Sequence, residues 1–346
     1  MQTHTRGRIR RILHMRAKEL VSVIIPTLNE EGNIERLLRS ILVQDYRPIE
    51  VIIVDGGSRD NTLEIIRKFA EKYSNEEFVV RVLPEYGECR SPANAKNIGF
   101  ANARGDYVLF IDADYIILDR NFISRVVEAL KNAPWVSVRL IPVMGENNLL
   151  SFAQVVEDRA WAPRGYVDER RCFRRDFLVT YANPPFNPCL GVGEDADLIS
   201  KLRGMGYVPM FVYVRLGDVI PKSLRRFVRR FEWYGRTALR FYMQVRGYSR
   251  IRAFIQALRD NVGVWITIMY PLLLVLLYFL LNILGIFIVL ILYGALRFRF
   301  FLKMPIKSLK VLVVISFLDF VRAMAYLYGL FKGLIGAKVR VSRDFV

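Results

Sequence analysis

The stretch VSVIIPTLNEEGNIERLLRSILVQDYRPIEVIIVDGGS, residues 21–58, decides the fold. Two short β-branched runs, Val21–Ile25 and Val51–Val54, enclose a segment, Gly32–Leu42, whose apolar residues recur at helical spacing. The unit recurs through the strands Val79–Leu83 and Tyr107–Ile111 and the helices Asn61–Tyr73 and Pro92–Ala103. Strands that alternate with helices in this way predict an α/β fold, a mostly parallel sheet with flanking helices.

The polar residues that follow these strands are candidate ligand-binding residues, because parallel sheets bind ligands at the carboxyl ends of their strands. The fourth run ends in Asp112-Ala113-Asp114. Two carboxylates this close repel each other, and a divalent cation removes the conflict. Mg²⁺ or Mn²⁺ takes carboxylate oxygens and shares its other coordination sites with phosphates. We therefore expect a metal–diphosphate site, with Asp112 and Asp114 as ligands.

Two common nucleotide-binding motifs are missing from the sequence. The first strand is followed by Pro26-Thr27-Leu28-Asn29-Glu30, where a dinucleotide-binding fold has G-x-G-x-x-G. The chain also has no G-x-x-x-x-G-K-S/T phosphate loop. These two classes of nucleotide-binding protein are excluded.

Three segments in this order resemble the family 2 glycosyltransferases. They are VSVIIPTLNEEGNIERLLRSILVQDYRPIEVIIVDGGSRDNT, ANAKNIGFANARGDYVLFIDADYII and GVGEDADLISKLRGMGY. The resemblance covers about residues 20–240. It implies a GT-A fold, which binds a nucleotide-sugar, and the transfer of a sugar from a UDP- or GDP-sugar donor with inversion at the anomeric carbon.

The resemblance also implies roles in donor binding for individual residues. The first nucleotide-contacting loop corresponds to Pro26, Thr27, Asn29 and Glu30. Asp55 corresponds to the carboxylate that reads the base, although this chain has Asp55-Gly56-Gly57-Ser58 where the family usually has Asp-Asp-Gly-Ser.

Further roles concern the phosphates, the metal and the proton transfer. Lys96 aligns with a basic residue near the donor phosphates, while Asp112 and Asp114 match the D-x-D that holds the metal and the diphosphate. Asp195, with Glu194 beside it, matches the catalytic base. Many members have a metal-binding His about twenty residues later; Asp218 is our candidate for that role.

Simpler interpretations of three of these positions are kept open. Asp55 fits an ordinary Asx turn at a strand end, and Lys96 fits the solvated face of a helix. Glu194 and Asp195 fit the start of the helix predicted at Ala196–Arg203, where carboxylates are favoured.

The C-terminal third has the composition of a membrane region. Residues 262–296 contain no charge, and their length favours a helical hairpin over one span. Residues 311–331 could form a further span, which would place the basic tail outside, or a re-entrant segment; Asp319 and Arg322 within it can pair. The segment SLRRFVRRFEWYGRTALRFYMQVRGYSRIRAFIQALRD, residues 223–260, interleaves arginines with aromatic residues, which is typical of an interfacial helix on anionic lipid.

The predicted organisation therefore has five parts. They are a basic leader (1–20), a GT-A domain (21–221), a basic amphipathic interfacial segment (222–261), an all-α transmembrane region (262–336) and a basic tail (337–346). The lysines and arginines between residues 297 and 310 place that loop in the cytoplasm. We expect a multi-pass protein of the cell membrane with a cytoplasmic catalytic domain.

The three cysteines, Cys89, Cys172 and Cys189, have no metal-ligand spacing, and we expect no disulfide framework from them. The net charge of +18 fits a basic surface, an anionic membrane or a nucleic acid. The basic segment 223–260 lies beside the apolar segments, which favours lipid as its partner. No nucleic-acid partner is therefore expected.

Three functions remain open from the sequence. The first is a glycosyltransferase that acts on a hydroxyl of a membrane-associated glycan or lipid-linked acceptor. The second is a polyprenyl- or dolichyl-phosphate sugar synthase, whose anionic acceptor hardly needs a general base. The third is a membrane protein that only binds a nucleotide-sugar or RNA, which the intact pairs of carboxylates disfavour.

Overall fold

The structure, a computed structural model, describes most of the chain. The described residues are 19–144, 147–161, 166–191, 193–220, 223–244, 249–259, 295, 299–304 and 308–335. The predicted leader up to residue 18, the predicted hairpin 262–296 (apart from residue 295) and the basic tail 337–346 lie outside them.

The centre of the fold is an eight-stranded mixed sheet. Its strands are β1 (Val21–Thr27), β2 (Ile49–Asp55), β3 (Phe78–Pro84), β4 (Tyr107–Phe110), β5 (Tyr115–Ile117), β6 (Trp135–Val143), β7 (Tyr166–Arg174) and β8 (Met210–Val219). Their order in space is β3-β2-β1-β4-β7-β6-β8-β5.

Half of this sheet is the parallel part predicted from the sequence. β1 pairs in parallel with both β2 and β4, and β2 pairs in parallel with β3. Every residue of β1 and β2 is buried, which explains their nearly continuous apolar sequences. Thr27 and Asp55 end neighbouring strands side by side, so the loops that follow them lie at the same edge.

In the other half of the sheet, parallel and antiparallel strand pairs are mixed. β7 pairs antiparallel with both β4 and β6, whereas β6 and β8 are parallel. The short β5, which follows Asp114 directly, pairs antiparallel with β8 and sets Tyr115 opposite Asp218. This pairing brings Asp218 next to the D-x-D segment.

The helices between residues 34 and 204 flank the sheet. They are α1 (Ile34–Leu42), α2 (Thr62–Tyr73), α3 (Pro92–Ala101), α4 (Phe122–Leu130), α5 (Leu149–Trp161), α6 (Arg175–Tyr181) and α7 (Glu194–Gly204). The C-terminal helices are α8 (Leu224–Gln244), α9 (Arg250–Arg259) and α10 (Leu309–Ile335).

The elements predicted for residues 21–111 are confirmed, with ends shifted by at most two residues. The helix predicted at Ala196–Arg203 begins two residues earlier, at Glu194. Gly193 takes a left-handed conformation with φ 82°, which only glycine adopts at little cost and which ends the preceding loop. Glu194 and Asp195 therefore occupy the first helical turn.

Two apolar cores lie on the two faces of the sheet. Alternate residues of β1 divide between them: Val23 and Ile25 join the core that holds α1, and Ile24 joins the core that holds α3. Gly99 of α3 lies where a Cβ would collide with the Ile24 side chain, so the helix packs closely on the sheet. This packing fixes the position of α3 relative to the strand ends.

α10 is long and apolar enough to cross a membrane. An 18-residue window within Leu309–Leu334 has a mean hydropathy of 1.8, and 33% of that window is buried inside the protein. α10 packs against α8 so closely that a Cβ on Gly235 would collide with the Tyr326 carbonyl, and one on Gly329 with the Glu232 carbonyl. Asp319 and Arg322 pair at 3.1 Å, as expected from their spacing.

Our expectation about the cysteines was wrong. Cys89 and Cys189 form a disulfide, with their Cα atoms 5.1 Å apart, and Cys172 is a buried free thiol. The pair was not recognisable because 100 residues separate its members and only the fold brings the loops before α3 and α7 together. The disulfide joins the α3 loop to the loop that carries Glu194 and Asp195.

Loss of this disulfide is expected to lower stability by about 4–5 kcal/mol, because it closes a long loop in the unfolded chain. We expect a reductant to lower the melting temperature of the wild type, and the Cys89→Ser/Cys189→Ser double variant to melt at that lower temperature with or without reductant. A wild type that melts at the same temperature in both conditions, with its disulfide shown to be reduced, would contradict this.

Candidate active site

A cavity of about 510 Å³ lies at the carboxyl ends of the strands. It is bounded by the ends of β1, β4 and β8 and by α7 and α8. Its charged lining consists of six carboxylates (Glu30, Asp112, Asp114, Glu194, Asp195 and Asp218) and four arginines (Arg171, Arg226, Arg229 and Arg230). Acidic and basic groups of this density are not needed for folding, which makes the cavity the candidate site.

Most of the residues predicted from the sequence meet in this cavity. Seven of them line it: Pro26, Glu30, Asp112, Asp114, Glu194, Asp195 and Asp218. The other four, Thr27, Asn29, Asp55 and Lys96, are outside its lining. Their roles remain predictions.

The loops after β1 and β2 form one hydrogen-bonded shelf beside the cavity. Asp55 makes the Asx turn that we kept open, accepting hydrogen bonds from the backbone N–H groups of Gly57 and Ser58 at 2.9 Å. Asn29, in a left-handed conformation with φ 54°, accepts from the backbone of Arg59 at 2.8 Å. Hydrogen bonds of this kind join the two loops, and the role of Asp55 in base reading stays a prediction.

Asp112 lies between two buried cations. Its Oδ2 accepts a hydrogen bond from Arg171 at 2.7 Å, and its Oδ1 is 3.7 Å from the Lys96 ammonium. Arg171 also donates to Asp168 and to the Tyr115 hydroxyl, both at 2.9 Å, so each of its three donor positions holds a partner. Arg171 therefore fixes the orientation of Asp112.

Asp114 is paired with Arg230 of α8 at 2.6 Å. Burial raises the pKa of the Asp114 carboxyl, Arg230 opposes that rise and the neighbouring Asp218 adds to it. Burial likewise raises the pKa of Asp218, whose Oδ1 is buried without a hydrogen-bond partner in the described part of the protein. These two neighbouring acids, both only partly buried, share Arg230 as their nearby positive charge.

These carboxylates fit a divalent cation. The donors of Asp112, Asp114 and Asp218 are hard oxygens, the kind that Mg²⁺ and Mn²⁺ prefer, and the Asp218 oxygen without a partner is free to become a ligand. Within the described residues no three potential ligands are grouped closely enough to hold a metal as they stand. Asp112 and Asp114 are paired with arginines in this arrangement.

Lys96 joins the metal-site candidates to the candidate base. Only 1% of it is exposed, so it is not on a solvated helix face, and its ammonium lies 3.0 Å from both Glu194 and Asp195. Burial opposes the charge on Lys96, but Asp112, Asp195 and Glu194 raise its pKa above the usual value. Burial raises the pKa of Glu194, and Lys96 opposes the rise.

Sequence reasoning missed Arg171 and Arg230. Arg171 stands in a strand, β7, that was not predicted, within the run ERRCFRR, which has no motif that distinguishes one arginine from the next. Arg230 belongs to the basic, aromatic segment that we assigned to lipid, and this helix also supplies Arg226, Arg229, Trp233 and Tyr234 to the cavity. The sequence thus shows that this segment is rich in arginine, but it does not show that the segment lies over the site.

Arg171→Gln is expected to lower the free energy of unfolding by about 3–5 kcal/mol, because Asp168, which is 0% exposed, would lose the cation that neutralises it. Arg215→Gln, which removes two side-chain hydrogen bonds to one Asp119 oxygen at the surface, serves as the control and should cost no more than about 1 kcal/mol. Denaturant unfolding in detergent measures both. Equal losses in the two variants would contradict a buried network centred on Arg171.

Comparison with known proteins agrees with this geometry. The profile of the family "Glycosyl transferase family 2" matches residues 22–182. An uncharacterized glycosyltransferase of Haemophilus influenzae is 33% identical over 113 residues, which cover 33% of this chain and 43% of that protein. A poly-beta-1,6-N-acetyl-D-glucosamine synthase of Staphylococcus aureus is 36% identical over 116 residues, which cover 34% of this chain and 26% of that protein. The chain thus matches less than half the length of either relative.

A solved structure extends the similarity beyond the family segment. It is the mannosyltransferase PcManGT of Pyrobaculum calidifontis, with a TM-score of 0.62 at 20% identity over 97% of this chain and 95% of that one. At this identity the match shows the fold alone. Residues 22–182 therefore match the family 2 glycosyltransferases, in a chain whose α/β fold resembles that of a solved mannosyltransferase.

Proposed function

We propose that this chain is an inverting, metal-dependent glycosyltransferase. It transfers a sugar from a UDP- or GDP-sugar to a hydroxyl of a membrane-associated glycan or lipid-linked acceptor. The observation that carries the proposal is the meeting of the D-x-D carboxylates, Asp218 and the Glu194-Asp195 pair around one cavity at the strand ends.

The chain's own residues divide the work of a single displacement. The shelf formed by Thr27, Asn29 and Asp55 lies beside the cavity and is suited to hold the nucleoside. Asp195 takes the proton of the acceptor hydroxyl as the hydroxyl attacks the anomeric carbon. Lys96, 3.0 Å from Asp195, keeps this carboxylate oriented.

The departing nucleoside diphosphate develops negative charge that must be offset. Asp112, Asp114 and Asp218 would hold Mg²⁺ or Mn²⁺, which supplies a Lewis acid for that charge when bound. Arg226 and Arg229, which line the same cavity, add positive potential where a diphosphate would lie. PcManGT, which shares the fold, was solved with GDP-Man and Mn²⁺, so GDP-mannose belongs in the first donor screen beside the UDP-sugars.

One observation favours a second candidate, a polyprenyl- or dolichyl-phosphate sugar synthase. Three arginines of α8 face the cavity, and α8 packs on α10, the apolar helix most suited to meet lipid. A phosphate at the head of a lipid acceptor would find cations there, and it would need no base because it is already ionised. The two candidates differ in how much they require Asp195.

We place the catalytic domain in the cytoplasm, where nucleotide-sugars are available, and the apolar C-terminal part in the cell membrane. The support is the basic loop around residues 297–310 and the single described helix of span length. Membrane lipids are then direct partners of the protein.

Asp114→Asn is expected to lower release of the nucleoside diphosphate by on the order of 10²-fold or more, because the metal loses a charged ligand. EDTA should abolish wild-type turnover, and added Mn²⁺ should restore it. Asp176→Asn, a change in an exposed pair with Arg174, is the control and should leave turnover unchanged. Full wild-type activity in EDTA would remove the metal from the proposal.

Asp195→Asn is expected to slow transfer to a hydroxyl acceptor by about 10²–10⁴-fold while leaving donor affinity near the wild-type value. The measurement combines steady-state transfer to extracted lipid-linked acceptors with calorimetric titration of the donor. A variant that transfers sugar to a polyprenyl phosphate at nearly the wild-type rate would favour the second candidate. Equal losses in transfer and donor binding would make Asp195 structural.

A further inference from the structure

α10 presents one continuous apolar face to the outside, which we call the outer stripe. Its members recur at intervals of three and four residues and are 48–72% exposed: Leu309, Val313, Phe317, Phe320, Met324, Tyr328 and Phe331. The stripe is about 33 Å long at 1.5 Å per residue. An apolar surface of this size on a described helix calls for a partner.

The opposite face of α10 packs on the catalytic domain along almost the whole helix. In its first half Val311, Ile315 and Leu318 join a core with Ala153 and Val156 of α5. In its second half Ala323, Tyr326 and Leu330 join a core with α8 and α9. The whole length of α10 therefore lies beside elements of the domain that holds the cavity.

A charged link stands near the middle of α10. Arg322 binds both carboxylate oxygens of Glu157 in α5 at 2.9 Å and also pairs with Asp319. Its guanidinium lies 5.1 Å from the centre of the Phe231 ring in α8. Separating α5 from this part of α10 would break the ion pair of the buried Glu157 with Arg322, and separating α8 would remove the ring contact.

These contacts decide how α10 can meet a membrane. If it crossed the bilayer, its midpoint near Arg322 would lie at the centre of the hydrocarbon. α5 and α8 would lie at the same depth, and with them Arg226, Arg229 and Arg230, which line the cavity. Charged groups and a water-filled cavity at that depth are strongly disfavoured.

We propose that α10 lies in the plane of the membrane, with the outer stripe inserted into one leaflet of anionic lipid, rather than crossing the bilayer. A helix with one apolar face and one face bound to a polar domain is the kind that lies at an interface. The surface is thus a lipid-docking face of the catalytic domain, and it replaces our expectation that residues 311–331 form a span.

The helix beside the stripe supplies the charge complementarity. The Phe254 ring of α9 lies 5.8 Å from the ring of Phe331, the last member of the stripe. On its exposed surface α9 alternates arginines with isoleucines: Arg250, Ile251, Arg252, Ile255 and Arg259. Isoleucines that can enter the acyl region next to arginines that can bind phosphate headgroups fit an anionic leaflet.

An in-plane α10 also removes a conflict in the topology. If residues 262–296 cross the membrane twice and α10 does not cross, the basic tail from Lys338 to Arg343 stays on the cytoplasmic side. This agrees with the bias of lysine and arginine toward that side. A crossing α10 would place the same tail outside.

Depth measurement tests the orientation without any need for turnover, so its outcome is independent of the proposed function. The full chain, reconstituted in vesicles containing phosphatidylglycerol, carries one spin label at a time, at Val313→Cys, Phe320→Cys or Tyr328→Cys. The wild-type disulfide is kept intact and Cys172 is buried, so neither takes up label. Oxygen and a nickel chelate then report the depth of each label.

We expect similar shallow depths at all three positions, because an in-plane helix keeps the stripe at one level. A crossing helix with its midpoint near Arg322 would place Phe320 about 10 Å deeper than Val313 and about 6 Å deeper than Tyr328, and would overturn the proposal. Labels shielded from oxygen at all three positions would mean that protein covers the stripe, which also overturns it. Lys68→Cys, on the exposed face of α2, provides the water-exposed reference.

Discussion

The concentration of negative charge at one edge of the sheet is the constraint on which the rest of this structure depends. Six carboxylates converge on a single cavity, and a fold can keep them there only by surrounding them with cations. Lys96 comes from α3, Arg171 from β7 and Arg230 from α8. Three separate elements therefore each supply a cation to these carboxylates. The positions of those elements follow from the charges as much as from the apolar cores.

This arrangement gives each side of the site a different character. On the Glu194-Asp195 side the cation is Lys96, buried and with three carboxylates within 3.7 Å, which makes it a permanent part of the structure. On the Asp114–Asp218 side the cation is Arg230, carried by a helix that belongs to the C-terminal region, and one Asp218 oxygen has no partner among the described residues. The Glu194-Asp195 side suits a base held in a fixed position. The Asp114–Asp218 side suits the binding of a metal cation.

Much of the fold and part of the site could be predicted from the sequence for a physical reason. Strands buried on both faces must be apolar along their length, so β1, β2 and β4 were visible, and their polar ends identified the loops that now meet. The other half was not predicted; β7, YVDERRCFR, is mostly charged and lacks the apolar run that marks a buried strand. Arg171 and the Cys89–Cys189 disulfide depend on contacts between residues 59 and 100 positions apart, which no local pattern encodes. The C-terminal helices were recognised by their apolar and basic residues, but composition alone could not show that α8 lines the cavity or that Arg322 holds α10 to α5.

The central claim is that Asp112, Asp114 and Asp218 hold a divalent cation against the diphosphate of a nucleotide-sugar. Anomalous diffraction at the manganese edge, from crystals grown with Mn²⁺ and GDP-mannose or a UDP-sugar, tests it most directly. The account predicts one anomalous peak within about 2.5 Å of oxygens of these carboxylates, with the diphosphate beside it and Arg230 displaced from Asp114. A nucleotide bound elsewhere, or a diphosphate in this cavity with no metal and an unbroken Arg230–Asp114 pair, would contradict it.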